Sequence, residues 1–191
     1  MTTNEVRRLV SNNQLQQALN ACDQLGLDDD FKGKVSQLKG TYREYNNHRI
    51  DGDMRNDDLE IMRAGLTKKI LLFLSEYEIV CITDLKKDFV ELTDTIEQTA
   101  THEDKAVVVD EAKQITEDIA SIDNAEKKED IKPSVIKRIG DFIIKFEDKD
   151  SPQGKVLSTV KDGVSMLQQL GKKYNSVAQW FALPQIPTVF L

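Results

Sequence analysis

The stretch that decides the fold of this chain is residues 57–77, DDLEIMRAGLTKKILLFLSEY. Its apolar residues return every three or four positions, which is the period of an amphipathic α-helix. Asp57 and Glu60 have the three-residue spacing of a capping box, which predicts that the helix begins there. The residues predicted to share its inner face are Leu59, Met62, Leu66, Ile70, Phe73, Leu74 and Tyr77. A helix with one apolar face needs neighbouring helices to cover it.

Three further helices are predicted upstream. Thr3 or Asn4 is predicted to cap the first, and Gly26 to end the second in the backbone conformation that glycine favours. The turn signal Asp51-Gly52 ends the third. Apolar side chains at helical spacing line all three: Val6, Leu9, Val10, Leu15, Ala18, Leu19, Cys22, Leu25, Phe31, Val35, Leu38, Tyr42 and Tyr45. Residues 4–77 are therefore predicted to form a self-contained antiparallel bundle.

The pattern changes at residues 78–83, Glu-Ile-Val-Cys-Ile-Thr, which are rich in β-branched side chains. We interpret this run as a buried connector; a short strand is the alternative, although a single strand would have no partner. After Asp84 the apolar residues form seams that predict four helices of roughly 15 to 30 residues in an up-and-down bundle. Pro133 suits the first turn of the third helix, and Ser151-Pro152 opens a fourth that is predicted to run to Phe181.

The sequence thus predicts an all-α fold with two domains, a small helical module in residues 1–78 and a longer helical bundle in residues 84–191. No charged side chain occurs from residue 174 onward, and two prolines favour an extended path near the end. We expect this apolar tail to cover one end of the bundle. The alternative is that Trp180 and Phe181 contact a partner protein or a membrane.

Composition limits the classes of function. The chain has 33 acidic against 26 basic residues and a net charge of −7, and an acidic surface disfavours general nucleic-acid binding. Cys22 and Cys81 form no disulfide framework, and we expect buried free thiols in a reducing compartment. The apolar run at residues 70–74 is far shorter than the roughly 20 residues that cross a bilayer. Without a signal-peptide pattern at the N-terminus, a cytoplasmic location is predicted.

Residues that could carry chemistry are few. His48 and His102 lie in polar surroundings, and the spacing of histidines and cysteines fits no zinc motif. Residues 51–62 invite a calcium interpretation, but Arg55 and Met62 stand at the fifth and twelfth positions, where an EF-hand needs oxygen ligands. No phosphate-binding glycine loop and no nucleophile signature is present. We therefore expect no metal, no cofactor and no enzymatic activity.

With these helices placed, residues 4–77 resemble a bacterial effector-associated domain. The resemblance is carried by residues 5–10, 15–19 and 50–52 and by the amphipathic run at 59–74. Such domains are small helical modules of bacterial conflict and immunity-like systems, thought to join signalling proteins to effectors by like-with-like contacts. The resemblance implies a protein partner with a similar module, borne by a protease, nuclease or NTPase effector, and it brings no catalytic residues. Like-with-like contact also permits a homo-oligomer.

The leading hypothesis is an adaptor that recruits an effector through its N-terminal module. Homotypic contact requires complementary patches on one fold. Arg7 and Arg8 on the first helix, and Asp28, Asp29 and Asp30 at the start of the third, are the candidate patches. Their alternative interpretation is a set of solvated charges with an acidic cluster at a helix end.

The alternative function places the activity in residues 84–191, as a helical bundle that opens and acts on a membrane. The uncharged end of the chain and the glycines of the predicted fourth helix motivate it. The net acidic charge disfavours contact with anionic lipids, and the apolar seams suit a stable soluble bundle. We therefore do not expect a membrane partner.

Overall fold

The structure is a computed structural model that describes residues 1–187. The chain divides into two compact units, Met1–Glu78 and a second that begins at Ile79. Eight α-helices and three short 3-10 helices account for the regular structure of the described residues, which contain no β-strand. The all-α fold predicted from the sequence is confirmed.

Four helices form the first unit. They are α1 (Thr3–Ser11), α2 (Leu15–Cys22), α3 (Asp29–Asp51) and α4, which begins in this unit and spans Asn56–Thr99. Helix α2 packs against both α1 and α3. The turn predicted between α3 and α4 is confirmed, since Gly52 ends α3 with a φ of 65°, a conformation that costs glycine little.

The start of α1 differs from the prediction. Thr2, rather than Thr3 or Asn4, caps the helix, because its side chain accepts a hydrogen bond from the backbone N–H of Glu5. The Glu5 carboxylate in turn accepts from the Thr2 backbone N–H at 2.7 Å, which completes a capping box. Thr3 does not cap because its hydroxyl is buried and donates to Glu78 instead.

Aromatic rings close the core of the first unit. Phe31 on α3 meets Phe73 and Tyr77 on α4 edge to face, with ring centroids 5.7 and 5.3 Å apart. The Tyr77 hydroxyl donates to the backbone carbonyl of Leu25. The other buried apolar residues of this core are Val6, Val10, Leu15, Ala18, Leu19, Ala21, Cys22, Leu27, Val35, Leu38, Leu66, Ile70 and Leu74.

This core does not extend to the turn between α3 and α4. No residue in 39–65 is buried, although the sequence placed Tyr42, Tyr45, Leu59 and Met62 on inner faces. These four side chains are half-buried, so the inner face is only partly covered at this end of the unit. The reason is that periodicity identifies the apolar side of a helix, but not how many neighbours cover it.

Residues 78–83 are helical, and neither the predicted connector nor a strand is found. They lie inside α4, which continues to Thr99. Ile82 and Leu85 are both fully buried and continue the three- and four-residue spacing of apolar side chains. Burial at helical spacing therefore outweighs the weak preference of β-branched residues for strands.

The second unit contains the rest of α4 and four shorter helices. These are α5 (Lys105–Ile119), α6 (Pro133–Lys145), α7 (Pro152–Leu157) and α8 (Gly163–Ala178). Three 3-10 helices, Ala120–Asn124, Lys128–Asp130 and Gln179–Phe181, lie between or after them. Pro133 is the first residue of α6, as predicted. In the core, the ring of Phe142 meets those of Phe89 and Phe146 at 5.4 and 5.1 Å.

The predicted fourth helix of this unit is broken in two. Helix α7 ends at Leu157, and Asp162 has a positive φ of 60°, which an α-helix does not allow. Gly163 follows at the first position of α8, where a Cβ atom would lie about 3 Å from Leu157 and Val160 side-chain atoms. The glycine that was expected inside a helix therefore marks the turn between two helices.

Burial of an ion pair fixes α1 within the first unit. The Glu78 side chain is 0% exposed, and its carboxylate accepts hydrogen bonds from the Thr3 hydroxyl at 2.5 Å and from the Arg7 guanidinium at 2.8 Å. Arg7 also donates to the hydroxyl of Ser75 at 3.2 Å. A buried carboxylate requires such partners, because desolvation of an unpaired charge is costly.

We predict that Arg7→Ala lowers the free energy of unfolding by about 3 kcal/mol, since it removes the guanidinium that pairs with the buried Glu78 carboxylate. Arg8→Ala is the matched control, and its exposed side chain should change stability by less than about 0.5 kcal/mol. Urea unfolding followed by circular dichroism measures both. Adding Glu78→Gln to Arg7→Ala should recover part of the loss; equal effects of Arg7→Ala and Arg8→Ala would contradict the prediction.

Replacing either of two helical glycines, Gly140 and Gly40, by alanine is expected to change the stability in opposite directions. A Cβ at Gly140 on α6 would overlap the ring of Tyr174, which is buried and whose hydroxyl donates to the Pro184 carbonyl at 3.2 Å. At Gly40 on α3, no atom lies within 4 Å of the same position. We expect Gly140→Ala to lower the free energy of unfolding by about 1–3 kcal/mol through overpacking. Gly40→Ala should raise it by up to about 1 kcal/mol. Urea titration of both variants checks the opposite signs.

Candidate protein interface

The two arginines predicted for the interface have different environments. Arg7 is 26% exposed and bound to Glu78 within its own unit, so its guanidinium serves the fold. Arg8, one position further along α1, is exposed and belongs to no salt bridge among the described residues. Of the two, Arg8 is therefore the side chain with a charge open to a partner.

The predicted acidic cluster lies at the N-terminus of α3. Asp28 is its N-cap and accepts a hydrogen bond from the backbone N–H of Phe31 at 2.9 Å. Asp29 pairs with Lys32 at 2.9 Å, and this hydrogen bond lowers the pKa of Asp29 below its usual value. Asp29 and Asp30 are nonetheless exposed, the former at 99% of its side chain. The helix end explains Asp28, whereas Asp29 and Asp30 are exposed carboxylates that pair with Lys32 and Lys34 of the same helix.

The second predicted patch, near the C-terminus, is partly inside the protein. Trp180 is buried, and Phe181 is half-buried. The following segment packs on α8: the Asn175 amide donates to the Ile186 carbonyl at 2.8 Å and accepts from the Ile186 backbone N–H at 2.7 Å. Residues 183–187 form no helix, as Pro184 and Pro187 predicted. The remainder of the predicted tail, residues 188–191, lies outside the described residues.

An exposed face of α4 was not predicted. Ile61 and Leu72 are 70% and 57% exposed. They are three helical turns apart and thus lie on the same side of the helix. Gly65, whose Cβ position has no atom within 4 Å, and the exposed Lys68 and Lys69 lie between them. We call these five residues the α4 outer face. Neither lysine forms a salt bridge among the described residues.

The sequence contained a signal for this face. Ile61 and Leu72 are large apolar residues that fall outside the inner seam of the helix, and Lys68-Lys69 is a basic pair between them. Leu72 and Lys69 also line a groove of about 250 Å³ between α3 and α4. Large apolar side chains that share one exposed helix face are a feature of protein contact surfaces.

Groups that could carry chemistry remain scattered. Cys22 is buried, as predicted, and burial raises the pKa of its thiol to about 12. Cys81 is only half-buried, so the prediction of full burial is wrong there. His48 lies 3.0 Å from the carboxylate of exposed Asp53. Among residues 1–187, no three His, Cys, Asp or Glu side chains are gathered so that they could hold a metal ion.

A wider groove of about 700 Å³ lies in the second unit, along α4. Lys86, Lys87, Glu91 and Asp94 line it together with Val90 and several neutral polar residues. Lys86, only 16% exposed, pairs at 2.5 Å with Asp123, which also lines the groove.

No helix within residues 1–187 has the length and apolar character that a bilayer crossing requires. Comparison with curated proteins and with solved structures finds no match to this chain. Comparison with protein families finds a match over the first unit. The family prediction made from the sequence is confirmed for this segment: residues 1–78 match the model of effector-associated domain 11.

Proposed function

We propose that this chain is a non-enzymatic adaptor of a bacterial conflict or immunity-like system. Its first unit recruits, in the cytoplasm, a protease, nuclease or NTPase effector that carries a similar helical module. The observation that carries the proposal is the match of residues 1–78 to effector-associated domain 11. The second unit is then available for a trigger or a second partner.

Charge on the first unit supports recruitment by homotypic contact. Arg8 on α1 and the carboxylates of Asp29 and Asp30 on α3 are opposite in sign and exposed. Two modules of one fold that carry both signs can bind when the basic patch of one faces the acidic patch of the other. Arg7 and Asp28 contribute by holding these helices in place, through the Glu78 ion pair and the cap of α3.

We expect the tagged full chain to capture, from its native host, a protein that has both an effector domain and a helical module of this family. Mass spectrometry identifies the captured proteins. The purified pair should then bind in vitro only when the effector retains its module. The proposal fails if the captured proteins lack such a module, or if the purified pair does not associate. Full-length chains are needed, because a cut after residue 78 would divide α4.

We predict that Arg8→Glu weakens the complex with the captured effector about two- to fivefold, as expected for one exposed charge pair. The variant complex should also depend less on salt concentration, because one screened attraction has been removed. Arg43→Glu, an exposed charge reversal on α3, is the matched control. Titration by fluorescence anisotropy at low and moderate salt measures both constants; equal weakening by the two variants would contradict a specific role for Arg8.

A further inference from the structure

The second unit has a groove of about 290 Å³ that is bordered by the end of α6, by α7, by the start of α8 and by the C-terminal segment. Most of its lining is apolar. The apolar side chains are those of Ile143, Phe146, Leu157, Val164, Leu167 and Ile186. This volume is close to the lower limit of ligand pockets, roughly 300 Å³, and suits a molecule of on the order of ten non-hydrogen atoms.

One carboxylate at this groove has a buried oxygen that lacks a hydrogen bond. Glu147 lines the groove just after the end of α6. Its Oε1 atom is buried, and no hydrogen-bond donor within residues 1–187 reaches it. A buried carboxylate oxygen is costly when no donor compensates for the water it has lost. A ligand that brings a donor to this oxygen would offset that cost.

Hydrogen bonds hold the segment that carries Glu147. Its backbone N–H donates to the carbonyl of Ile144 at 3.0 Å. The Ser151 hydroxyl lies 2.7 Å from the backbone carbonyl of Lys145 and 2.6 Å from that of Asp148. The segment on both sides of Glu147 is thus tied down, and it loses little conformational freedom when a ligand binds.

The charge beside the groove favours a cation. Glu147, Asp148 and Asp150 are acidic, and Lys149 is the one basic residue of residues 147–150, so this segment has a net charge of −2. Lys149 also lines the groove, but its exposed side chain does not pair with Oε1 of Glu147. A primary ammonium would supply both a positive charge and N–H donors.

We propose that this groove binds a small amphiphilic amine, a molecule with one primary ammonium on an apolar body. The ammonium donates to Oε1 of Glu147, and the apolar body covers the lining of the groove, including Val164, which is 57% exposed. Apolar walls with few polar groups are usual for small-molecule sites. The groove lies wholly within the second unit, so the proposal does not depend on the adaptor function of the first.

Nuclear magnetic resonance of the isotope-labelled full chain, titrated with hexylamine and with phenethylamine, tests the proposal. At neutral pH both amines are cations, as lysine is. We expect saturable shifts of the backbone amides of Gly154, Ser158 and Val164, with a dissociation constant on the order of 1 mM. Hexanol and hexanoate, which share the apolar body, should bind at least about tenfold more weakly. The proposal is overturned if neither amine shifts these amides saturably, or if hexanol binds as tightly as hexylamine.

Glu147→Gln separates the carboxylate from the rest of the groove. It keeps the size of the side chain and removes the charge, so it should weaken hexylamine binding at least about tenfold. Asp150→Asn is the matched control, because it removes the same charge from an exposed position in the same segment, outside the groove lining. It should change binding by less than about twofold. Equal weakening by both variants would contradict recognition by Glu147. Thermal unfolding followed by circular dichroism verifies that both variants fold.

Two further variants test the wall of the groove and the neighbouring lysine. Val164→Ser should weaken hexylamine binding about threefold or more, because apolar contact area is lost. Val107→Ser, on α5 outside this groove and exposed to a similar 58%, is its control and should leave binding unchanged. Lys149→Ala removes a competing cation and should leave the affinity unchanged or raise it. Unchanged affinity in Val164→Ser, or weaker binding in Lys149→Ala, would overturn this placement of the amine.

Discussion

The first unit depends on a carboxylate that has no access to water. Glu78 is fully buried, and hydrogen bonds from the Thr3 hydroxyl and the Arg7 guanidinium offset part of the cost of its burial. Both groups belong to α1, so the first helix must lie against α4 in one rotation about its own axis. That rotation directs Val6 and Val10 into the core. It also leaves Arg8 on the surface. The buried ion pair of Glu78 with Arg7 therefore determines where this candidate contact residue lies.

The glycines of this protein differ in how closely other atoms pack against them. At Gly140, Gly154 and Gly163, a Cβ atom would meet side-chain or backbone atoms closely, and close packing explains why the residue is glycine. At Gly33 and Gly40, the same atom would meet nothing. The helix loses stability at these positions without a gain inside the described chain. The contrast within one molecule separates glycines that close packing requires from glycines that it does not.

Periodicity predicted the helical class and the inward seams, because burial of one helix side is a local property of the sequence. It could not predict that α4 continues through residues 78–83, since β-branched composition was weighed there without knowledge of the neighbouring buried side chains. Nor could it separate Arg7 from Arg8: the two are adjacent and alike, and only the distant Glu78 distinguishes them. The break before Gly163 was equally hidden, because its cause is a backbone reversal at Asp162. The local pattern thus predicted the helices, whereas contacts between residues distant in sequence determine which side chains are exposed at the candidate site.

The strength of the proposed contact between modules follows from its composition. A few exposed charges bind weakly, because exposed ion pairs contribute at most about 1 kcal/mol and association itself costs entropy. A single such contact leaves the protein mostly dissociated when it is dilute. Once a partner holds several copies together, their effective concentration rises and the same contact becomes occupied. An adaptor with weak, directional faces would therefore respond to clustering, and strengthening those faces would remove that response.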